Sequence, residues 1–321
     1  MTGAPIRLVT CVGVGSDLPL LPHFLDHYTA LGVAPGDIVV ILNAQDAAAP
    51  GLADAQSLLA ARGAAAPEIW IAPYTSDTMW AERRRVQAAR CAPDDWVLSA
   101  DVDEFQRWPA PLREVLATAE AHGADCVQGV MIDRLAPGGR LAPVRPAPAI
   151  LEQFPIRAEV AIAIGGRSAA HGRGGTVKVM AARGRILPAR GGHRPMPEPP
   201  ATQLLNYPLG DWREIEDPAF RFSIPLQVDH VHWTDTLPDR LRTRIATPGV
   251  SPAGAEYGRR QLDHLERHGG IDMEAVALMP DAAPDWPARL DELRRIGRRK
   301  RMAGSARAAL RRLASLGRRA G

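Results

Sequence analysis

Cysteine is scarce in this chain, with three in 321 residues. Cys11, Cys91 and Cys126 lie far apart and form no Cys-x-x-Cys pair, which argues against a disulfide framework or a zinc site. No apolar run approaches the ~18 residues of a membrane-spanning helix, and the opening residues lack a signal-peptide pattern. Together these absences predict free thiols in a reducing compartment and a cytoplasmic protein. An internal repeat is also missing.

A glycine is absent where a dinucleotide fold would need one. After a predicted first strand, Ile6 to Val12, comes Gly13-Val14-Gly15-Ser16-Asp17, but Leu18 holds the third glycine position of the fingerprint. The strand Asp37 to Leu42 then ends in Asn43, where such folds place an acid for the ribose. Both departures argue against a nicotinamide site.

What the chain does have is globular composition, 46% hydrophobic and 23% charged, and enough length for one large α/β domain or two smaller ones. Its net charge of +3 hides an asymmetry. From Ala288 onward there are twelve Arg/Lys against two Asp/Glu, and the remainder carries 27 basic and 34 acidic residues. A basic tail on an acidic body suggests attraction to an anionic surface. Met302, Ala306, Leu310, Leu313 and Leu316 fall near helical spacing, as in an amphipathic membrane-surface helix, although a solvated terminal helix fits the pattern as well. The tail lacks interleaved aromatics, so nucleic acid is not expected as a partner.

Strand and helix patterns alternate through the first half. A helix lined by Leu21, Phe24, Leu25, Tyr28 and Leu31, with Ser16 or Asp17 as its cap, stops at Gly32. Helices at Leu52 to Arg62, Asp77 to Cys91 and Pro111 to His122 alternate with strands at Glu68 to Ala72, Trp96 to Ala100 and Asp125 to Ile132. This alternation predicts a mainly parallel sheet with helices on both faces, whose ligands bind outside the carboxyl ends of the strands. Asn43, Asp46 and the acids after Trp96 all fall on that side.

Those acids are the densest chemical signal in the chain. In WVLSADVDEF (Trp96 to Phe105) an apolar run ends in Asp101, Asp103 and Glu104. In extended backbone, residues two apart point the same way, so Asp101 and Asp103 would converge while Val102 turns inward. Two carboxylates beside an apolar sheet call for positive charge between them. A hard divalent cation such as Mg²⁺ or Mn²⁺ fits, since it bridges carboxylates to phosphate oxygens. An ordinary strand end, with Asp103 capping the next helix, has the same spacing.

From Leu135 to Pro225 the chain is rich in Pro, Gly and Arg. It shows short strand patterns near Val160 to Ile164, Thr176 to Ala181 and Arg185 to Leu187. Long loops of this kind often carry acceptor recognition, and Gly191 to Pro200 reads as a mobile segment. A last strand, Leu226 to His232, sets His230 and His232 on one face. Helices follow at Leu237 to Ile245, Ala255 to His268 and Trp286 to Arg295.

The ordered blocks LPLLPHFLDHYTALGV (Leu18 to Val33), IVVILN (Ile38 to Asn43) and WVLSADVDEF lead a longer pattern. It continues with IDRLAPGGRLAPV (Ile132 to Val144), LEQFP (Leu151 to Pro155), TVKVMAARG (Thr176 to Gly184), GGH (Gly191 to His193) and HVHWTDTLPDRLRTR (His230 to Arg244). On these blocks the chain resembles bacterial glycosyltransferases of the family 2 type, in the branch with a D-x-D-E-F motif related to the family 92 domain. The similarity spans about Arg7 to His268. It implies a GT-A-like domain over residues 1–270, followed by a C-terminal helical extension with its basic tail over 271–321.

The resemblance implies a metal-dependent transfer, with inversion, of a sugar from a nucleotide-diphosphate donor to an acceptor hydroxyl, in polysaccharide or cell-envelope glycan synthesis. It assigns Asp101 and Asp103 to the metal, with His232 completing the site and His230 as second choice. Lys178 and Arg183 are candidate cations for the leaving diphosphate, and His193 for phosphate or acceptor. Asn43 and Asp46 are candidates for the donor. Asp133, at the end of the strand after the D-x-D, is the candidate base, with Glu152 in reserve. The family's first loop reads Lys-Asn-Glu where this chain has Gly13 to Asp17, with Asp17 as a substitute. Two alternatives share these features: a nucleotidyltransferase of similar fold, and a sugar-nucleotide or glycan-binding module without turnover.

Overall fold

The sheet begins as the alternation predicts. Ile6–Gly13 (β1), Ile38–Ala44 (β2), Glu68–Ile71 (β3) and Trp96–Ser99 (β4) lie parallel in the order β3-β2-β1-β4. β2 is buried along its whole length, the expected consequence of a β-branched run covered on both faces. The computed structural model describes residues 5–165, 176–196, 213–279, 286, 288–300 and 302. The tail from 303 onward, with its amphipathic spacing, and Pro197 to Pro200 of the predicted mobile loop lie outside the described residues.

Past β4 the sheet becomes mixed. Val177–Arg183 (β8) runs antiparallel to β4, and Cys126–Leu135 (β6) antiparallel to β8. The ten residues of β6 then serve three partners. Cys126 to Val130 pair with β8, and Asp133 to Leu135 with Ile156–Glu159 (β7). Val130 to Asp133 pair in parallel with Gln227–His230 (β11). Glu104–Arg107 (β5) adds antiparallel to β11, and Ala277–Leu278 (β12) to β7. Leu187–Pro188 (β9) and Pro195–Met196 (β10) form a separate small hairpin. Seven of the ten strands of the main sheet therefore point one way, which is the mainly parallel α/β class expected.

Helices cover both faces. Leu21–Ala30 and Leu112–Ala121 pack with Leu8, Val12, Val40 and Leu98 in the larger core cluster. On the other face, the helix Ser76–Arg90 lays Met79, Trp80 and Val86 against Val9, Cys11, Val39 and Ile41. Its start is fixed by a reciprocal cap between Thr75 and Thr78. Residues beyond 270 join the same body: β12 extends the sheet, and Leu290 and Leu293 in the helical stretch 288–300 are buried in the larger cluster. All three cysteines are free. Among the described residues, no helix is long and apolar enough to cross a membrane.

Three local readings change. Glu104 and Phe105, which fall between the predicted strand and the next predicted helix, begin a strand of their own, because β11 supplies a ladder for them. Val160 to Ile164, expected as strand, is helical over Ala161–Gly165, because side chains cap its start. The Asp133 carboxylate accepts the Val160 and Ala161 N–H groups, and Glu159 accepts that of Ile162. Asp17 does not cap the helix after it. It turns back to accept the Gly13 N–H at 3.1 Å, and a 3₁₀ turn at Leu18–Leu20 leads into the helix.

Candidate active site

Where β4 ends, the chain crosses from one part of the sheet to another. β4 pairs with β8, while β5, four residues on, pairs with β11. Asp101 to Asp103 form the crossing. It is closed by the Glu104 N–H on the Asp101 carbonyl (2.9 Å) and by the Val231 N–H on the Asp103 carbonyl (2.8 Å). That second bond delivers the end of β11, and with it His230 and His232, to the acids.

Two side-chain groups meet there. In the first, Asp101 binds the Arg83 guanidinium through Oδ1 and the Lys178 ammonium through Oδ2 at 3.2 Å. Lys178 also reaches Glu104 Oε1 at 2.5 Å, and Glu104 Oε2 accepts the Asp101 N–H at 3.0 Å. Arg83 is 2% exposed and further donates to the Val9 and Ala100 carbonyls and the Ser99 hydroxyl, with its plane over the Trp80 ring. Burial alone would raise the Asp101 pKa, but Lys178 and Arg83 outweigh it and hold it low. Burial dominates at Glu104, whose pKa is raised.

In the second, Asp103 Oδ2 faces His232 Nδ1 at 3.5 Å, His230 Nε2 at 3.7 Å and Arg240 Nη2 at 3.9 Å. The two imidazoles stack at 4.9 Å with an interplanar angle of 13°. His230 Nδ1 donates to Asp133 Oδ1 at 3.0 Å, since a carboxylate can only accept. Burial acts against charge on both rings. At His230 the Asp133 hydrogen bond and the Asp103 charge outweigh it, raising the pKa to about 8. At His232 burial wins, aided by the neighbouring His230 and Arg240 cations, and the pKa falls to about 4. Asp103 itself is held well below the carboxylate range: its histidine and arginine neighbours overcome its burial.

The expected site residues divide. Asp101, Asp103, His232, His230 and Lys178 come together. His193 sits next to them: Gly192, with φ of +67°, brings the loop so close that an added Cβ would lie 3.5 Å from Lys178 Nζ. The His193 ring itself bonds the Val177 carbonyl at 2.8 Å. Asn43 lies on the same edge, but its amide donates to the Trp70 and Ala72 carbonyls, tying β2 to β3 and the residue that follows it. Asp46 is exposed and caps the Ala48 N–H. Glu152 is exposed on the short helix Ile150–Gln153.

Arg183 is a correction. It pairs in register with Trp96, at the start of β4 and away from the acids, where it stacks on the Trp96 ring at 4.2 Å and binds Glu120. Asp133 is near the site with its acceptors filled. Oδ2 takes the Val160 and Ala161 N–H groups, and Oδ1 takes His230 and the Trp233 indole. Sequence reasoning missed Arg83 and Arg240. Arg83 could have been picked out of Arg83-Arg84-Arg85 by helical phase, because it alone shares the face of Met79, Trp80, Val86 and Gln87.

The donors fit a divalent ion. Asp103, His230 and His232 offer ligand atoms within 4.8 Å of one another, as do Asp101, Asp103 and Glu104. No family model matches the chain, and no curated protein does. Among solved structures it is similar to residues 1–349 of S. aureus TarS, at 11% identity over 84% of this chain and 76% of that one, with TM-score 0.32. That fragment in complex with UDP-GlcNAc is similar at 12% identity over 45% and 37%, with TM-score 0.30. Mannose-1-phosphate geranyltransferase from Thermus thermophilus is similar at 16% identity over 49% and 48%, with TM-score 0.25. Likenesses this distant leave the site geometry as the ground for function.

Proposed function

We propose that this protein is a metal-dependent glycosyltransferase of GT-A type. It would move a sugar from a nucleotide-diphosphate donor to an acceptor hydroxyl, in polysaccharide or cell-envelope glycan synthesis. The observation that carries this reading is the carboxylate–imidazole cluster at the carboxyl end of β4, flanked by Lys178 and Arg240. In an open α/β sheet that edge is where ligands bind.

In an inverting displacement the acceptor oxygen bonds to the anomeric carbon as the bond to the diphosphate breaks. The electron pair leaves on the diphosphate, and the acceptor proton passes to a base. A bound divalent ion would neutralise the charge that grows on the diphosphate. Lys178 and Arg240 add fixed positive charge beside the same oxygens, an interaction that strengthens toward the transition state. Asp101 and Glu104 keep the Lys178 ammonium charged and in place. The four donors on Asp133 suit it to orienting His230 better than to taking the acceptor proton.

Incubation of the full chain with a panel of sugar nucleotides and Mn²⁺ tests the reading. Release of nucleoside diphosphate is expected. Pyrophosphate would indicate nucleotidyl transfer, and donor binding without product would indicate a module that only binds; either overturns the proposal.

A further inference from the structure

The paired carboxylates of the D-x-D do not have the same freedom. Every oxygen of Asp101 and Glu104 already has a partner at hydrogen-bond distance: Arg83, Lys178 twice, and the Asp101 N–H. An ion on Asp101 would lie directly against the Arg83 guanidinium and the Lys178 ammonium that hold its two oxygens, and displacing either would leave a buried charge uncompensated. Asp103 Oδ2 differs. Its neighbours at 3.5 and 3.7 Å are ring nitrogens too distant for good hydrogen bonds. They are at about the spacing of two ligands on one ion: metal–ligand bonds of roughly 2.1 Å at the tetrahedral angle put ligand atoms ~3.4 Å apart.

The tautomer sharpens this. His230 donates its Nδ1–H to Asp133, so Nε2 is the ring nitrogen turned toward the Asp103 carboxylate. A positive charge joins that nitrogen to the carboxylate, either a proton in the metal-free chain or a divalent ion that replaces it. Asp133, His230 and the ion position would then form the carboxylate–imidazole–metal relay that fixes ring orientation in metal sites. Charge agrees. The linked cluster holds five carboxylates (Asp17, Asp101, Asp103, Glu104, Asp133) against three permanent cations (Arg83, Lys178, Arg240), so once an ion displaces the His230 proton two negative charges are left for it to balance.

We infer that the ion is held by Asp103, His230 and His232, with Asp101 instead positioning Lys178, and that it is a transition metal of the Mn²⁺, Co²⁺ or Zn²⁺ kind in preference to Mg²⁺. Two imidazoles and one carboxylate match first-row transition ions, which accept mixed nitrogen and oxygen donors, Co²⁺ and Zn²⁺ more readily than Mn²⁺, whereas Mg²⁺ takes an all-oxygen shell. The assignment rests on the metal-dependent reading above but names a different ligand set from the D-x-D pair.

The test is metal binding by the purified full chain, without substrate. Co²⁺ titration, followed by its visible absorption and by equilibrium dialysis, should give one ion per chain. Asp103→Asn, His230→Gln and His232→Gln should each weaken it by more than tenfold, and Asp133→Asn by about ten- to a hundredfold through the relay. Asp101→Asn should stay within about threefold of the unmodified chain. Since a variant can fail to fold, pulsed EPR of Mn²⁺ bound to the unmodified protein, with ¹⁵N-labelled histidine, gives an independent readout: coupling to two imidazole nitrogens. Coupling to none or one, or a loss in Asp101→Asn as large as in Asp103→Asn, overturns the assignment. Two-imidazole binding without release of nucleoside diphosphate from any donor would leave the site standing and remove the transferase. Donor turnover with no imidazole coupling would do the reverse.

Discussion

Asp133 and Arg134 are neighbours on β6, as are Asp229 and His230 on β11, and strand alternation sends the members of each pair to opposite faces of the sheet. One face carries the Asp103–His230–Asp133 cluster. The other carries a second group of buried charges: Asp229 is 1% exposed, with Arg157, Arg107 and Arg134 at 3.7, 3.8 and 3.9 Å. Both hold acids and cations at similar spacing. They differ in access and in donor type. The site face keeps Asp101 32% and Arg240 29% exposed and includes imidazoles. The opposite cluster pairs carboxylate with guanidinium alone: Asp229, Arg134 and Arg157 are closed off, and only the Arg107 guanidinium of this group reaches the surface. Buried charge alone therefore does not mark a functional site. An accessible carboxylate beside imidazole donors does.

Two substitutions would break this comparison if it is wrong. The larger effect is expected from Asp103→Asn, which keeps the shape but removes the charge facing both histidines. Turnover of the sugar-nucleotide donor should fall roughly a hundred- to thousandfold, while urea unfolding shows a loss of only about 1–2 kcal/mol. Asp229→Ala should behave in the opposite sense. It leaves clustered guanidinium groups without their carboxylate, so unfolding stability should drop by about 3–5 kcal/mol, with kcat of the folded protein within about threefold of normal. If Asp229→Ala loses kcat while keeping its stability, the two faces are not functionally separate.

Much of this was legible in the chain itself. The runs of β1, β2 and β4 announced buried parallel strands, and the acids after Ser99 with the His-x-His after Asp229 announced a site. What could not be read depended on partners far away in sequence. β5 is a strand because β11, more than a hundred residues later, lies beside it. The alternating Ala161 to Ile164 became helix because Asp133 reaches across from β6 to cap it. Spacing puts Asp101 and Asp103 on one side of the chain without telling them apart, yet Arg83 and Lys178 arrive from other elements and bind only the first. Lys178 and Arg183 looked alike on one basic strand. β8 runs antiparallel to β4, so five residues at ~3.3 Å each carry Arg183 some 16 Å from the acids.

That last displacement yields the smallest of the predicted effects. Arg183→Ala removes a guanidinium stacked on Trp96 and paired with Glu120, and each contact contributes about 0.5–1 kcal/mol. A loss of about 1–2 kcal/mol in urea unfolding is expected, with KM for the donor unchanged. The Glu120 carboxyl is held below its usual value by the Trp96 indole first and by Arg183. A depressed carboxyl pKa stabilises above the unfolded value, near 4.5, and that contribution is lost as pH falls through the folded value. The gap between wild type and Arg183→Ala should therefore narrow on going from pH 7 to pH 4. Because Glu120 is partly exposed, that pH-dependent part stays under about 1 kcal/mol. A rise in KM for the sugar nucleotide would instead place Arg183 within reach of the diphosphate, contradicting the antiparallel register of β8.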